Sequence, residues 1–140
     1  MGHFFHWDPQ ITYKVSKKHG FIAAEKPKTG LYKYADIDDS FLITVHHWMK
    51  WYKFGFTRLW DNLSLEIRNG RISREDAIDI IKNVGNEQPK KEINLFCKYL
   101  GINQLDFFGI ASKFRNHNIW QRNKKGKWYI KNFLIDNWEW

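Results

Sequence analysis

The sequence predicts a mainly α-helical fold with a short N-terminal strand and a C-terminal β-hairpin, and three observations carry that reading. Apolar residues recur at helical spacing through most of the chain, as in Phe41, Val45, Trp48 and Tyr52. Gly20, Gly55, Gly70, Gly85 and Gly101 punctuate that pattern where helices would stop. Residues 119–121 and 127–130 flank Asn123-Lys124-Lys125-Gly126, which is the signature of a hairpin turn.

The elements follow in order. Residues 2–7 are aromatic and read as the end of a strand, one that would belong to a larger sheet, since a lone strand is unstable. Asp8-Pro9 is an N-cap followed by proline at the first helical position, so a helix is expected to about Lys18. Residues 21–34, with Pro27 and Gly30, read as loop with extended pieces. Asp38, Asp39 or Ser40 caps the next helix. Gly55 interrupts its apolar face before a second one (Phe56, Leu59, Trp60, Leu63, Ile67), so either one kinked helix or two helices meet there. Ser73-Arg74-Glu75-Asp76 resembles a capping box ahead of Ala77, Ile80, Ile81 and Val84, closed by Gly85. Pro89 opens a helix burying Ile93, Phe96, Cys97 and Leu100. Asn103 caps another carrying Leu105, Phe108, Ala111 and Phe114, and the aromatic tail 133–140 is expected to pack back on the body.

The 140 residues form one domain by length, residues 1–140. With 43% hydrophobic and 18% aromatic residues, the chain can bury a core, which excludes wholesale disorder. A net charge of +8 favours anionic partners such as nucleic acid, phosphates or sugar nucleotides, although surface lysine in a Lys/Asn/Ile-rich chain reads the same way. The single cysteine, Cys97, excludes an internal disulfide and a cysteine-rich zinc site, and it is expected to be a buried thiol. No apolar run approaches the ~20 residues of a membrane span, and the N-terminus lacks a signal-peptide pattern, so a cytoplasmic protein is expected.

The richest segment for chemistry is residues 46–61. Lys50, Lys53 and Arg58 surround the Gly55 break, and a helix starting there would present backbone N–H groups to an anion. Arg58 and Asp61 are three apart and can pair. The competing reading is a solvated basic face over an aromatic core. His46 and His47 point about 100° apart on a helix, poor geometry for one metal. Asp36, Asp38 and Asp39 lack the alternation of a calcium loop and suit capping better. No metal site is expected. There is no G-x-S-x-G, no G-x-x-x-x-G-K-[ST] and no G-x-G-x-x-G. Residues 74–84 and 89–100 could be read as helix-turn-helix, but Glu75, Asp76 and Asp79 argue against DNA.

The string His47-Trp48-Met49-Lys50-Trp51-Tyr52-Lys53-Phe54-Gly55-Phe56-Thr57-Arg58, followed by Asp61, Ile67-Arg68-Asn69-Gly70 and Ser73-Arg74-Glu75-Asp76-Ala77, resembles the C-terminal part of the N-acetyl sugar amidotransferases of lipopolysaccharide and pseudaminic acid biosynthesis. Phe5-His6-Trp7-Asp8-Pro9 and the segment from Gly30 to Asp38 fit the same family. The resemblance implies the C-terminal lobe of an α/β enzyme similar to the ATP pyrophosphatases of the adenine-nucleotide α-hydrolase type. It implies ATP with magnesium, which adenylates a sugar acetamido oxygen. Ammonia from a glutaminase subunit then displaces AMP to leave an acetamidino group. On that resemblance Lys50, Lys53 and Arg58 would face phosphates of ATP or of a nucleotide-linked N-acetyl sugar. Asp61 would orient Arg58, Gly55 would permit close backbone approach, and Tyr32, Tyr34 and Asp36 would face the sugar. Arg68 and Arg74 would tie one helix to the next.

The chain departs from the family in lacking the Ser-Gly-Gly-x-Asp-Ser pyrophosphate loop and the N-terminal cysteine pairs. An N-terminal ATP-binding region is therefore an expected partner, and this chain alone is expected to be inactive. No membrane partner is expected. The alternatives from other classes are a small basic nucleic-acid-binding module and a non-catalytic interaction domain.

Overall fold

The computed structural model describes residues 4–36, 39–84 and 88–135. Among them the chain forms α1 (Pro9–Lys18), α2 (Leu42–Phe54), α3 (Arg58–Arg68), α4 (Arg74–Val84), α5 (Lys90–Leu100) and α6 (Gln104–Lys113), then strands β1 (Trp120–Arg122) and β2 (Trp128–Ile130). The strands pair antiparallel, with Trp120 opposite Ile130 and Arg122 opposite Trp128.

Helices α1, α2, α4 and α6 begin where side chains satisfy their first N–H groups. Asp8 accepts from Gln10 N at 2.9 Å, with Pro9 at the first helical position. Asp39 receives Phe41 N at 2.8 Å and Ile43 N at 3.1 Å, so it is the acid that starts α2. Ser73 and Asp76 exchange bonds in a capping box, and Asn103 accepts from Asp106 N. Asp38 and Gly85, to which the sequence assigns a cap and a helix stop, lie outside the described residues, as does the tail beyond Ile135.

At Gly55 the chain makes two helices rather than one bent one. Gly55 is left-handed (φ 73°) and its N–H closes on Trp51 O. A Cβ there would lie 2.5 Å from Ile130 Cδ1, so the glycine also admits the hairpin. The hairpin is pinned to the end of α2 a second time. Trp120 Nε1 donates to Tyr52 O at 2.8 Å, giving a partner to a carbonyl that the ending helix leaves without one.

Two apolar clusters form the core. The larger joins Val45, Trp48, Trp51 and Tyr52 of α2 to Ile93 and Cys97 of α5, Phe107 and Ala111 of α6, and Trp120. The smaller joins Leu59 and Leu63 of α3 to Ala77 and Ile81 of α4 and to Ile135. Trp60 packs against both, and Phe133 lies on Trp60.

Besides Val84 and Leu100, expected inside but exposed at the ends of α4 and α5, three expectations are corrected. The N-terminal strand is absent among the described residues: 4 and 5 form a turn and bend, and 6 and 7 have no ladder partner. A strand needs a neighbour to take its N–H and C=O groups, and the only described sheet is the late hairpin; His6 is held instead by its ring on Asn69 Oδ1 at 2.8 Å. In α6 the buried face is Phe107 and Ala111, while Leu105 and Phe114 are exposed, because the helix docks on α2 and α5 one residue round from the expected stripe. Arg68 and Arg74 do not join helices: Arg68 Nε reaches only Ser64 O of its own helix, and Arg74 makes no bond to another element among the described residues.

The tie is made by Arg71. Its guanidinium is forked between Asp8 (Nη1 to Oδ2, 2.7 Å) and Glu66 (Nε to Oε2, 2.5 Å; Nη2 to Oε1, 2.7 Å). Glu66 also accepts from the buried Tyr32 hydroxyl and from Gln10 Nε2 at 3.3 Å. The Arg71 bonds hold the Asp8 and Glu66 carboxyls below their ordinary range, against the opposing effect of burial.

Depressed native carboxyl values stabilise the fold above the unfolded carboxylate range of about 4, and that stability is lost as pH falls through the native values. Denaturant melts across this window should show the loss in the wild type and a flatter pH dependence in Arg71→Met; equal slopes would dismiss the bridge. Gly55→Ala should cost about 2–4 kcal/mol, combining a left-handed backbone with a clash against Ile130. Urea unfolding within 1 kcal/mol of wild type would refute that.

Candidate functional site

Residues 28–36 cross the face of α2 and α3 and are tied down at both ends. Asp36 folds the loop back by accepting from Lys28 N at 2.9 Å and Thr29 N at 3.0 Å. In the middle, Leu31 N donates to Asn62 Oδ1 at 2.9 Å. Gly30 makes that approach possible: it is left-handed (φ 68°), and a Cβ would strike Asn62 Oδ1 and lie 3.0 Å from Arg58 Cγ.

This anchoring brings Thr29 to α2. Thr29 Oγ1 donates to Asp36 Oδ1 at 2.8 Å and lies 2.6 Å from His47 Nδ1. A carboxylate only accepts, so the one hydroxyl hydrogen goes to Asp36 and the oxygen accepts from His47 Nδ1–H. That chemistry fixes the tautomer and leaves Nε2 as the basic nitrogen. Burial pushes the His47 imidazole below its ordinary value, Arg58, His46 and Lys50 push the same way, and Asp36 opposes them. His47 is therefore neutral at pH 7.

His47 and Thr29 line a cleft of about 350 Å³. Arg58, Thr57 and Leu59 from the start of α3 make one wall, Thr44 and Trp48 belong to α2, and Gln88, Pro89 and Glu92 close the side toward α5. Arg58 has no hydrogen-bond or ion-pair partner among the described residues. Thr57, the N-cap of α3, makes no side-chain capping bond. A guanidinium, a helix start and hydroxyls, with Lys28 also lining the cleft, can hold one phosphate or carboxylate group. No three His, Cys, Asp or Glu side chains converge for a metal among the described residues.

A second hollow, of about 450 Å³, lies beyond the loop and is lined by Gln10, Tyr13, Lys14, Lys17, Leu31, Tyr32 and Tyr34. Tyr34 stacks between Tyr13 (4.3 Å between centroids) and Tyr32 (5.3 Å), and burial raises its phenol above the ordinary value. Its buried hydroxyl has no hydrogen-bond partner among the described residues.

The residues singled out from sequence are thus distributed rather than gathered. Arg58 lines the cleft, and Asp36 lies behind it, orienting Thr29. Lys50, not Arg58, pairs with Asp61, and its ammonium sits 5.0 Å from the Phe56 ring. Lys53 is exposed on another side, 5.3 Å from Phe114. What approaches Gly55 is Ile130. Tyr32 and Tyr34 belong to the second hollow, with the Tyr32 hydroxyl committed to Glu66.

Sequence reasoning missed His47 as a chemical group, and Thr29 and Arg71 altogether. His47 heads the string that carries the resemblance, so its position was visible. Thr29 is 18 residues away and Arg71 is 63 from Asp8, with no periodicity to link them.

No curated protein matches the chain. The family described as LPS biosynthesis protein WbpG-like, C-terminal domain, matches residues 16–134, which include the cleft, the loop and the whole of the 46–61 segment. The chain belongs to the WbpG-like C-terminal domain family of lipopolysaccharide-biosynthesis proteins, the N-acetyl sugar amidotransferase family that its sequence resembles.

Proposed function

We propose that this chain is the substrate-side part of an ATP-dependent amidotransferase that converts a sugar acetamido group to an acetamidino group in bacterial surface-polysaccharide synthesis. The observation that carries the reading is the position of the cleft. Its walls are drawn from His47, Trp48, Thr57 and Arg58, inside the string by which the chain resembles the amidotransferases.

An amide oxygen is a poor leaving group, so the reaction must first convert it to a phosphate ester. The acetamido oxygen attacks the α-phosphorus of ATP and pyrophosphate leaves; ammonia then adds to the imidate carbon and AMP leaves. Arg58 sets a fixed positive charge beside the negative charge that builds on phosphate oxygens, an effect strongest in a site that excludes water. Magnesium, when bound with ATP, would neutralise phosphate charge; the described residues of this chain supply no ligand cluster for it. The proposed partners are a nucleotide-linked N-acetyl sugar, an ATP-binding region carrying the pyrophosphate loop, and a glutaminase subunit that delivers ammonia. The proposed setting is the cytoplasm; no helix among the described residues is long and apolar enough to cross a membrane.

The test is acetamidino-sugar formation by this chain together with the ATP-binding region, supplied with ATP, magnesium, ammonium and a nucleotide-linked N-acetyl sugar. Mass spectrometry reads the product, and absence of product and of AMP would overturn the reading. Within an active complex, Arg58→Ala should lower turnover about 100- to 1,000-fold with little change in melting temperature. Lys53→Ala, exposed and away from the cleft, should leave turnover within about twofold, as surface changes usually do. The reverse ranking would move the anion site to Lys53.

A further inference from the structure

The geometry points to His47 Nε2 as the base that takes the amide proton from the acetamido group when its oxygen is activated, with Thr29 and Asp36 as positioning residues. This inference rests on the amidotransferase reading and assigns a step within it. Adenylation of a neutral amide forms the bond from oxygen to the α-phosphorus and breaks the bond from that phosphorus to the pyrophosphate oxygen. Unless the nitrogen loses its hydrogen, the product is a cationic imidate and the oxygen is a weak nucleophile. Transfer of the N–H proton to Nε2 lets that electron pair form the C=N bond. The products are a neutral imidate ester, pyrophosphate and a His47 imidazolium.

Three observations converge on this residue. First, the ring is held through Nδ1 by Thr29, itself held through its hydroxyl and its N–H by Asp36, so Nε2 is the nitrogen left for the cleft that His47 lines. Second, Nε2 has no partner among the described residues. Third, Asp36 stands behind the Thr29 hydroxyl, so its negative charge favours an imidazolium formed on the ring, as a carboxylate supports a histidine base. The charged groups around it are Arg58 of α3, His46 and Lys50 of α2, Asp36 of the loop, and Lys28 and Glu92, which line the same cleft. Arg58 favours the neutral ring before the reaction and meets the phosphate charge during it.

Two measurements test the inference. Nitrogen NMR of the chain across pH should show the His47 ring as the Nδ1–H tautomer, titrating below ordinary histidine, and Thr29→Val should release that tautomer preference. An Nε2–H ring in the wild type would overturn the arrangement. In the complete enzyme, pyrophosphate release dependent on the N-acetyl sugar should show an acid limb set by His47. His47→Gln should remove that limb and lower kcat about 100- to 10,000-fold with KM nearly unchanged, while keeping the wild-type melting temperature. Thr29→Val should lower kcat less and shift the limb. Wild-type turnover with an undiminished His47→Gln would sink this inference and leave the amidotransferase reading intact. No sugar-dependent pyrophosphate from the wild type would overturn that reading and this step with it, whereas the ring tautomer would still report whether Thr29 and Asp36 orient His47.

Discussion

The rest of the structure hangs on one ion-pair network, the Arg71 guanidinium between Asp8 and Glu66. It joins segments 63 residues apart and converts an N-terminal helix with a mostly exposed apolar side into a part of the body. Both carboxylates are nearly buried, and removing a cation from such a pair leaves charge without compensation. The same Glu66 receives Tyr32, which carries the next chain segment. Tyr32 brings in Leu31 and Gly30 over Asn62, and that crossing sets the course of the loop whose Thr29 meets His47. A charge pair on one side of α3 thereby governs the orientation of a ring on α2.

Helix α2 has to serve two masters, and its periodicity explains how. Val45, Trp48, Trp51 and Tyr52 fill the larger core, so the helix is rigid where it carries chemistry. Thr44 and His47, three apart, share the edge of that face and open on the cleft, with Trp48 beside them. Successive residues point about 100° apart, which explains why His46 is exposed while His47 is not. The Gly55 turn then redirects the chain so that Arg58, at the start of α3, returns to the same cleft.

Much of this fold was legible because its signals are local. Asp8-Pro9, the Ser73–Asp76 box, Asn103 and Gly101 act within a few residues of where they stand, and each does what its chemistry predicts. In the apolar stripe of α2, Val45, Trp48 and Tyr52 face the core as expected, while Phe41 is the N-cap and Trp51 takes the remaining place. That of α6 was misread, since Phe107 and Phe108 are adjacent and only packing against α2 and α5 decides which faces inward. The N-terminal strand failed for a related reason: aromatic residues have β propensity, but a strand exists only with a partner, and propensity does not name one. In the cleft, Arg58 was legible from its place after a glycine break. The hydrogen-bonded series Asp36–Thr29–His47 was not, because it depends on a loop path set by Asn62 and Gly30.

The basic charge of the chain was the least informative signal, and the structure explains why. Cations are scattered among unrelated tasks. Lys50 is tied to Asp61, and Lys53 covers Phe114. Arg115 is buried with its guanidinium 4.2 Å from the Tyr52 and Trp120 rings, and burial lowers its affinity for the proton. Arg122 stacks on Trp128. Cation–π contacts of this kind contribute packing on the chain's own rings. What distinguishes Arg58 is the combination of a guanidinium without a partner among the described residues, a cleft wide enough for a small group, and an imidazole lining the same cleft. A positive field beside a neutral base suits a reaction that delivers a proton to one atom while negative charge grows on another. Those two demands coincide when an amide oxygen attacks a phosphoryl group. Simple phosphate binding, which Arg58 and Lys28 along the same cleft could serve, makes only the demand for a positive field and gives an imidazole held through Nδ1 nothing to do.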